Sequence, residues 1–269
     1  MVSAQTGYLA DLMGASVFPN PKPVAMMNDF LTWFVEPDDL VLDFFAGSGT
    51  LGEASFRSQA NEKGCRFILV QLPEPLDPEN PDQKIAAAYC DQLGKPRNIA
   101  ELTKERLRRA GRKCRQETPM LTGDLGFRVF KLDSSNIRAW EPNRDNLATT
   151  LEEHAEHLKT DRTEADILFE LLLKLGLDLT VPIEQKTIAG KTVHGIGAGT
   201  LLVCLSEKIA APEVEPLALG IVAWHKELAP AGESQVVFRD SAFADDVAKT
   251  NLTAILQQYR FDAKNIRSL

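Results

Sequence analysis

The sequence has no apolar run long enough to span a membrane, which takes about 20 consecutive residues. Nor does a leader stand out. Met1-Val2-Ser3-Ala4-Gln5 has neither a basic stretch nor an apolar one, so no signal peptide is read there and a cytoplasmic protein is expected. Cysteine is scarce: the four, at 65, 90, 114 and 204, form no C-x-x-C pair and no spacing that suits a zinc site or a disulfide framework. No repeat and no low-complexity tract is found, which argues against a solenoid or a disordered array. Net positive charge is missing too. With 38 acidic and 30 basic residues the total is −8, whereas a stand-alone DNA binder is usually basic on at least one face. What is left is 44% hydrophobic and 25% charged over 269 residues, enough for one large domain or two smaller ones.

Residues 1–23 read as an irregular lead-in containing Gly7, Gly14, Pro19, Pro21 and Pro23. Val24, Met27, Leu31, Phe34 and Val35 recur at helical spacing, with Pro23 suited to the first turn. Leu40 to Phe45 is a short, nearly continuous apolar run, as expected of a strand buried on both faces of a parallel sheet. A helix over 50–58, a second buried strand at Phe67–Gln71, helices near 84–93 and 98–114, and a third strand over Phe127–Leu132 follow. This order predicts a right-handed, doubly wound α/β unit over residues 1–140. Residues 141–164 read as a hinge, with a polar helix near 145–159. A C-terminal α/β region is expected over 165–269: a helix ending at Gly176, strands at 179–183, 191–196, 200–205 and 235–239, and helices at 214–228 and 245–259.

The stretch most suggestive of chemistry is Asp43-Phe44-Phe45-Ala46-Gly47-Ser48-Gly49-Thr50. It falls at the C-terminal end of a strand, where open α/β sheets bind ligands. Gly47 and Gly49 have no Cβ, so backbone can approach a ligand closely, and the helix that follows offers unpaired N–H groups. It is not a Walker loop, having no lysine beside Thr50. Gly47 to Gly52 does satisfy G-x-G-x-x-G, a weak pattern alone, but the acidic lead-in at Asp43 fits a cationic amino-acid ligand better than a dinucleotide. A glycine-rich turn with no ligand remains the plain alternative.

Its context resembles the β-group amino-methyltransferases of DNA, and above all the modification (Mod) subunits of type III restriction–modification systems. Phe18-Pro19-Asn20-Pro21-Lys22-Pro23 resembles that family's motif X, Val41 to Thr50 its motif I, and Arg66 to Glu74 its second strand. Asp166 to Glu184 and Val237 to Phe243 resemble its C-terminal region. The resemblance implies a Rossmann-like S-adenosylmethionine-dependent methyltransferase sheet, here partial. It implies S-adenosyl-L-methionine as cofactor, held by Phe18, Lys22 and Pro23 on one side, Asp43, Phe45, Ala46, Gly47, Ser48, Gly49 and Thr50 beneath, and Gln71 at the ribose hydroxyls. It further implies adenine-N6 methylation of DNA and docking to a Res helicase–nuclease subunit.

One element of the pattern is absent. The family's catalytic motif is D-P-P-Y or a close variant, whose polar groups accept from a flipped base's amine and whose aromatic ring stacks on it. No Pro-Pro dipeptide occurs in the chain. In the β-group order that motif and the target-recognition region precede motif X, so the chain resembles the C-terminal portion of a Mod subunit and is expected to be inactive alone. Its first strand would then lack a neighbour, and a partner is expected: the missing N-terminal half or a second copy. An assembly module that keeps the fold without catalysis is the alternative function.

Other candidates are weaker. Lys104, Arg108, Arg109 and Arg112 crowd one predicted helix and could track DNA phosphates, but a solvated helix face suits the acidic total better. His154 and His157 offer half a metal site with no third ligand. His194-Gly195-Ile196-Gly197-Ala198-Gly199 lies between strands and reads as a hairpin turn, not a phosphate loop. Trp224-His225 reads as core edge, and Ser241 lacks a nucleophile elbow's glycines.

Overall fold

The computed structural model describes residues 2–60, 64–121, 123–138 and 158–269, which fall into two compact units, 1–128 and 129–269. The expected polar helix near 145–159, with His154 and His157, lies for all but its last two residues outside the described residues. The fold is mixed α/β in both units. None of the described helices is long and apolar enough to cross a membrane.

The first unit begins with α1 (Val2–Met13), in place of the expected irregular lead-in. Tyr8, Leu9, Leu12 and Met13 recur at helical spacing and drive it: Leu9 and Met13 are fully buried in a cluster with Ala87, Cys90 and Leu102. That burial outweighs the cost of Gly7, which is exposed. Gly14, at φ +76°, takes the left-handed conformation that ends a helix. Next come α2 (Val24–Phe34), β1 (Leu40–Asp43), α3 (Thr50–Ala60), β2 (Arg66–Leu69), α4 (Lys84–Gln92) and α5 (Ile99–Glu117). The Asn98 side chain caps α5 by accepting from the Glu101 amide.

β1 and β2 pair in parallel, Leu40 with Arg66 through Asp43 with Leu69, and α3 is the crossover between them. Two expectations fail here. Phe127–Leu132 forms no strand: Phe127 packs into the core of the first unit, Phe130 sets its ring against Phe169 within the second, and Leu132 is fully exposed. The segment has strand-like alternation but pairs with no strand among the described residues. Nor is β1 buried on both faces. Val41 and Leu69 pack inward, while Leu40, Leu42, Ile68 and Val70 are each about half exposed. The helix α2 is apolar on two sides as well. Val24 and Leu31 are buried, whereas Met26, Phe30, Trp33 and Phe34 form an exposed stripe at i, i+4, i+7 and i+8.

The second unit holds α6 (Glu164–Lys174), β3 (Ile183–Ile188), β4 (Lys191–Ile196), β5 (Leu201–Cys204), α7 (Ala211–Leu228), β6 (Gln235–Phe238), α8 (Asp246–Gln258) and β7 (Ile266–Ser268). Its sheet runs β3-β4-β5-β6-β7, antiparallel as far as β5 and parallel beyond. The strand expected at 179–183 begins at Ile183 instead, because Asp178 folds 178–180 into a turn by accepting from the Thr180 amide and hydroxyl. The central strands are buried on both faces. Leu202, Cys204, Val236 and Phe238 face α7 and α8, while Leu201, Val203 and Val237 face α6. Thr163 and Asp166 form a capping box at the start of α6, and Gly176, at φ +69°, follows its end.

Candidate functional site

The loop after β1 is defined by backbone bonds on both sides. The Asp43 carboxylate accepts from the Phe45 amide at 3.0 Å, turning the chain sharply as it leaves the strand. The Ala46 amide donates to Val70 O at 3.1 Å and the Gly49 amide to Ala46 O at 2.7 Å, closing the turn that starts α3. Gly47 and Gly49 have φ of +51° and +76° and serve different purposes. A Cβ on Gly49 would lie 2.9 Å from Thr103 Cγ2, so that glycine admits α5. A Cβ on Gly47 would meet nothing nearer than Phe45 O at 3.7 Å, so that position is lined by open space. Gly52 is packed like Gly49: a Cβ there would fall 2.6 Å from Leu107 Cδ2.

Gln71, expected at a ribose, is held by the loop itself: Oε1 accepts from the Gly47 amide at 2.7 Å and Nε2 donates to Leu72 O. Thr50, buried, donates to Lys22 O at 3.4 Å, which brings the 18–23 segment to the loop. Lys22 is exposed, and Phe18 and Pro23 are partly buried. Ala46 is buried, Ser48 partly so, and Phe45 is 83% exposed with its ring 5.1 Å from that of Phe44. The structure thus gathers Lys22, Gly47, Ser48, Gly49, Thr50 and Gln71 around one loop.

Beneath the loop is a polar cluster that sequence reasoning missed. Arg106 and Glu53 have fully buried side chains and pair at 2.9 Å. Arg106 Nη1 also donates to Ser48 O at 3.1 Å, Ser48 Oγ at 2.6 Å and Thr50 Oγ1 at 3.0 Å. The other oxygen of Glu53 accepts from the Tyr8 hydroxyl at 2.5 Å and from Arg57 at 3.1 Å, and Arg57 in turn donates to Tyr8. Thr103 donates to Gly47 O at 2.5 Å. Burial, and then the Glu53 acceptor, push the Tyr8 hydroxyl above the usual tyrosine range. Burial also works against the Arg106 charge, and Glu53 opposes that. The signal is present in the pattern: Leu102, Thr103, Arg106, Leu107 and Ala110 share the inward stripe of α5, so Arg106 stands where an apolar residue would.

Most of the other cations of α5 are paired with carboxylates of the same helix. Lys104 meets Glu101 at 2.5 Å, while Arg108, Arg109 and Arg112 surround Glu105 at 3.7, 2.7 and 3.7 Å. Arg109 also donates to Met13 O at 2.6 Å, tying α5 to the end of α1. In the second unit the 194–199 segment is not all turn: His194–Ile196 complete β4 and pair with β5, and only 197–200 form the hairpin turn, while Trp224 packs in the core. No cluster of metal-binding side chains occurs among the described residues.

Residues 4–72, which contain the loop and both strands beside it, match the family described as DNA methylase. The chain is 33% identical over 196 residues to the Mod subunit of the type III restriction–modification enzyme EcoPI of Escherichia phage P1, a match covering 71% of this chain and 28% of that one. It is 32% identical over 181 residues to the EcoP15I Mod subunit of Escherichia coli, covering 66% and 25%. It is 34% identical over 124 residues to the StyLTI Mod subunit of Salmonella typhimurium, covering 46% and 18%. The chain therefore spans about a quarter of the length of the relatives it matches. Residues 4–72 thus match a DNA methylase family, and most of the chain's own length is similar to type III Mod subunits.

Proposed function

We propose that this chain is the S-adenosylmethionine-binding part of a site-specific DNA adenine-N6 methyltransferase of a type III restriction–modification system, working in the cytoplasm. The observation that carries the reading is the open space at Gly47, in the turn that Asp43 sets by accepting from the Phe45 amide. The Asp43 carboxylate is the acid that would meet the ammonium end of the cofactor, and the exposed Phe45 ring is available to lie against it. Gln71 keeps a second lone pair on Oε1 and a second hydrogen on Nε2 for a ribose hydroxyl, so in this reading Gln71 both sets the loop and meets the ligand.

The bound cofactor supplies an activated methyl group. The loop and its supports hold it in place, and positioning accounts for most of what a methyl transfer requires. The base-binding motif is not in this sequence, so turnover requires residues from outside it. DNA and a Res subunit are proposed as partners of the whole assembly. The test is calorimetric titration of the full chain with S-adenosylmethionine. Saturable binding is expected, weakened at least about tenfold by Asp43→Ala, which removes a charge-assisted contact. Gly47→Val should weaken it more, because a β-branched residue is strained at this φ and its side chain fills the open space. A folded chain that takes up no cofactor would overturn the reading and leave an assembly module.

A further inference from the structure

Two successive carbonyls of the glycine loop are held by one helix. The Thr103 hydroxyl donates to Gly47 O at 2.5 Å, and Arg106 Nη1 donates to Ser48 O at 3.1 Å. Both donors sit on the inward stripe of α5, and α5 is fixed by contacts that do not involve the loop. Leu102 is buried in the cluster with α1 and α4, Leu107 is buried with Phe56, and Asn98 caps the first turn. A threonine inside a helix can spend its one hydrogen on the carbonyl four residues back. Ile99 O is within reach of Thr103 at 3.0 Å, yet Gly47 O is the nearer acceptor.

The direction of a carbonyl fixes the direction of the N–H that follows it. No cis peptide occurs among the described residues, and in a planar trans peptide the two groups point opposite ways. With Ser48 O turned onto Arg106, the Gly49 N–H closes on Ala46 O at 2.7 Å. With Gly47 O turned onto Thr103, the Ser48 N–H faces away from α5, and among the described residues it meets no acceptor. One grip thus closes the turn, and the other leaves a donor unspent beside the open space at Gly47. Glycine rotates more freely than any other residue, so the peptide that follows Gly47 is the one that most needs holding.

We propose that Thr103 is a positioning residue for the loop: by holding Gly47 O, its hydroxyl keeps the Ser48 N–H aimed at the ligand bound over Gly47. Arg106 fixes the neighbouring peptide, so α5 presets the loop before the ligand arrives and less ordering is left for binding to accomplish. The ligand's identity rests on the S-adenosylmethionine reading; the grip on Gly47 O does not.

The experiment compares Thr103→Val, which keeps the branched shape and removes the donor, with Thr103→Ser, which keeps the donor and removes the methyl group. In calorimetric titration of the full chain with S-adenosylmethionine, Thr103→Val should weaken binding at least about tenfold, and Thr103→Ser should stay within about threefold of the parent. A residue needed only for packing would give the reverse order, because it is the methyl carbon Cγ2 that lies against Gly49. Without ligand, the nuclear magnetic resonance correlation between the Ser48 amide and the Gly47 carbonyl carbon reads the held peptide itself. That carbonyl resonance should move upfield in Thr103→Val and return in Thr103→Ser. Equal binding by the parent and Thr103→Val would overturn the proposal. So would Thr103→Ser binding no better than Thr103→Val, or a Gly47 carbonyl resonance that Thr103→Val leaves in place. A parent chain that binds no S-adenosylmethionine would overturn the cofactor reading instead, and the Gly47 carbonyl would still decide the grip.

Discussion

The two sheets of this chain stand at opposite ends of completeness. The five-stranded sheet of the second unit has helices on both faces, and its middle strands bury every side chain from Leu201 to Leu205. The two-stranded sheet of the first unit has one face covered, one bare, and a buried ion pair beside it in place of an apolar side chain. Similar strand sequences, Leu-Val-Leu-Asp in β1 and Leu-Leu-Val-Cys in β5, thus end in opposite environments. An apolar run marks a strand, but it does not fix how many of the strand's faces are covered.

The difference makes the first unit dependent on polar contacts, and the largest predicted effect follows. Arg106→Met should destabilise the first unit by about 3–5 kcal/mol, because Glu53 Oε2 would remain buried without its partner, Arg57 reaching only the other oxygen. Urea denaturation followed by a probe in that unit checks this. The double variant Arg106→Met with Glu53→Met should recover a large part of the loss, since an apolar pair carries no stranded charge. Equal stability of the single variant and the parent would show that the pair does not hold the loop.

A smaller effect sharpens the contrast between the strands themselves. Leu202→Ala, at a fully buried position of β5, should cost about 2–5 kcal/mol, the range for truncating a well-packed leucine. Leu42→Ala, 55% exposed on β1, should cost less than about 1 kcal/mol in the isolated chain. Matching losses at the two positions would mean that the outer face of β1 is already covered in solution.

How much of this is legible in the sequence depends on whether the cause is local. The β1 run, the glycine turn and the start of α3 are legible because strand, turn and helix signals adjoin within a dozen residues. The Thr163 cap and Gly176 end of α6 are legible for the same reason. The segment Phe127–Leu132 misleads because alternation shows a willingness to pair and pairing needs a neighbour, which nothing nearby can reveal. In β7 the reverse holds: three residues with little pattern become a strand because β6 lies beside them. In the site, the loop is legible and its support is not. Glu53, Arg106 and Tyr8 are far apart in sequence, and a basic helix with seven cations hides the one that points inward. Gln71 stands out as a polar strand end, but its bond to the Gly47 amide emerges only from the paired strands.

The smallest effect tests whether the second unit, complete as it is, also relies on a polar latch. Glu170 on α6 accepts from the Ser135 hydroxyl at 2.5 Å and the Asn136 amide at 2.6 Å, and pairs with Lys174 at 2.9 Å. Burial opposes the charge, but those three donors together hold the carboxyl down at about 2, against an ordinary 4.5. A depressed carboxylate contributes stability above its unfolded value, and the contribution is lost as pH falls from about 4.5 through about 2. With partial solvent screening it amounts to on the order of 1–2 kcal/mol. Glu170→Gln should therefore lower stability by that amount at pH 7 and progressively less below pH 4.5, the two curves converging near pH 2. Parallel melting curves for parent and variant from pH 7 to pH 3 would show that the Glu170 carboxylate adds nothing to the other contacts of the 133–137 segment, which are the packing of Ile137, the Arg162–Asp133 pair and the bond from Asn136 to Asp166 O.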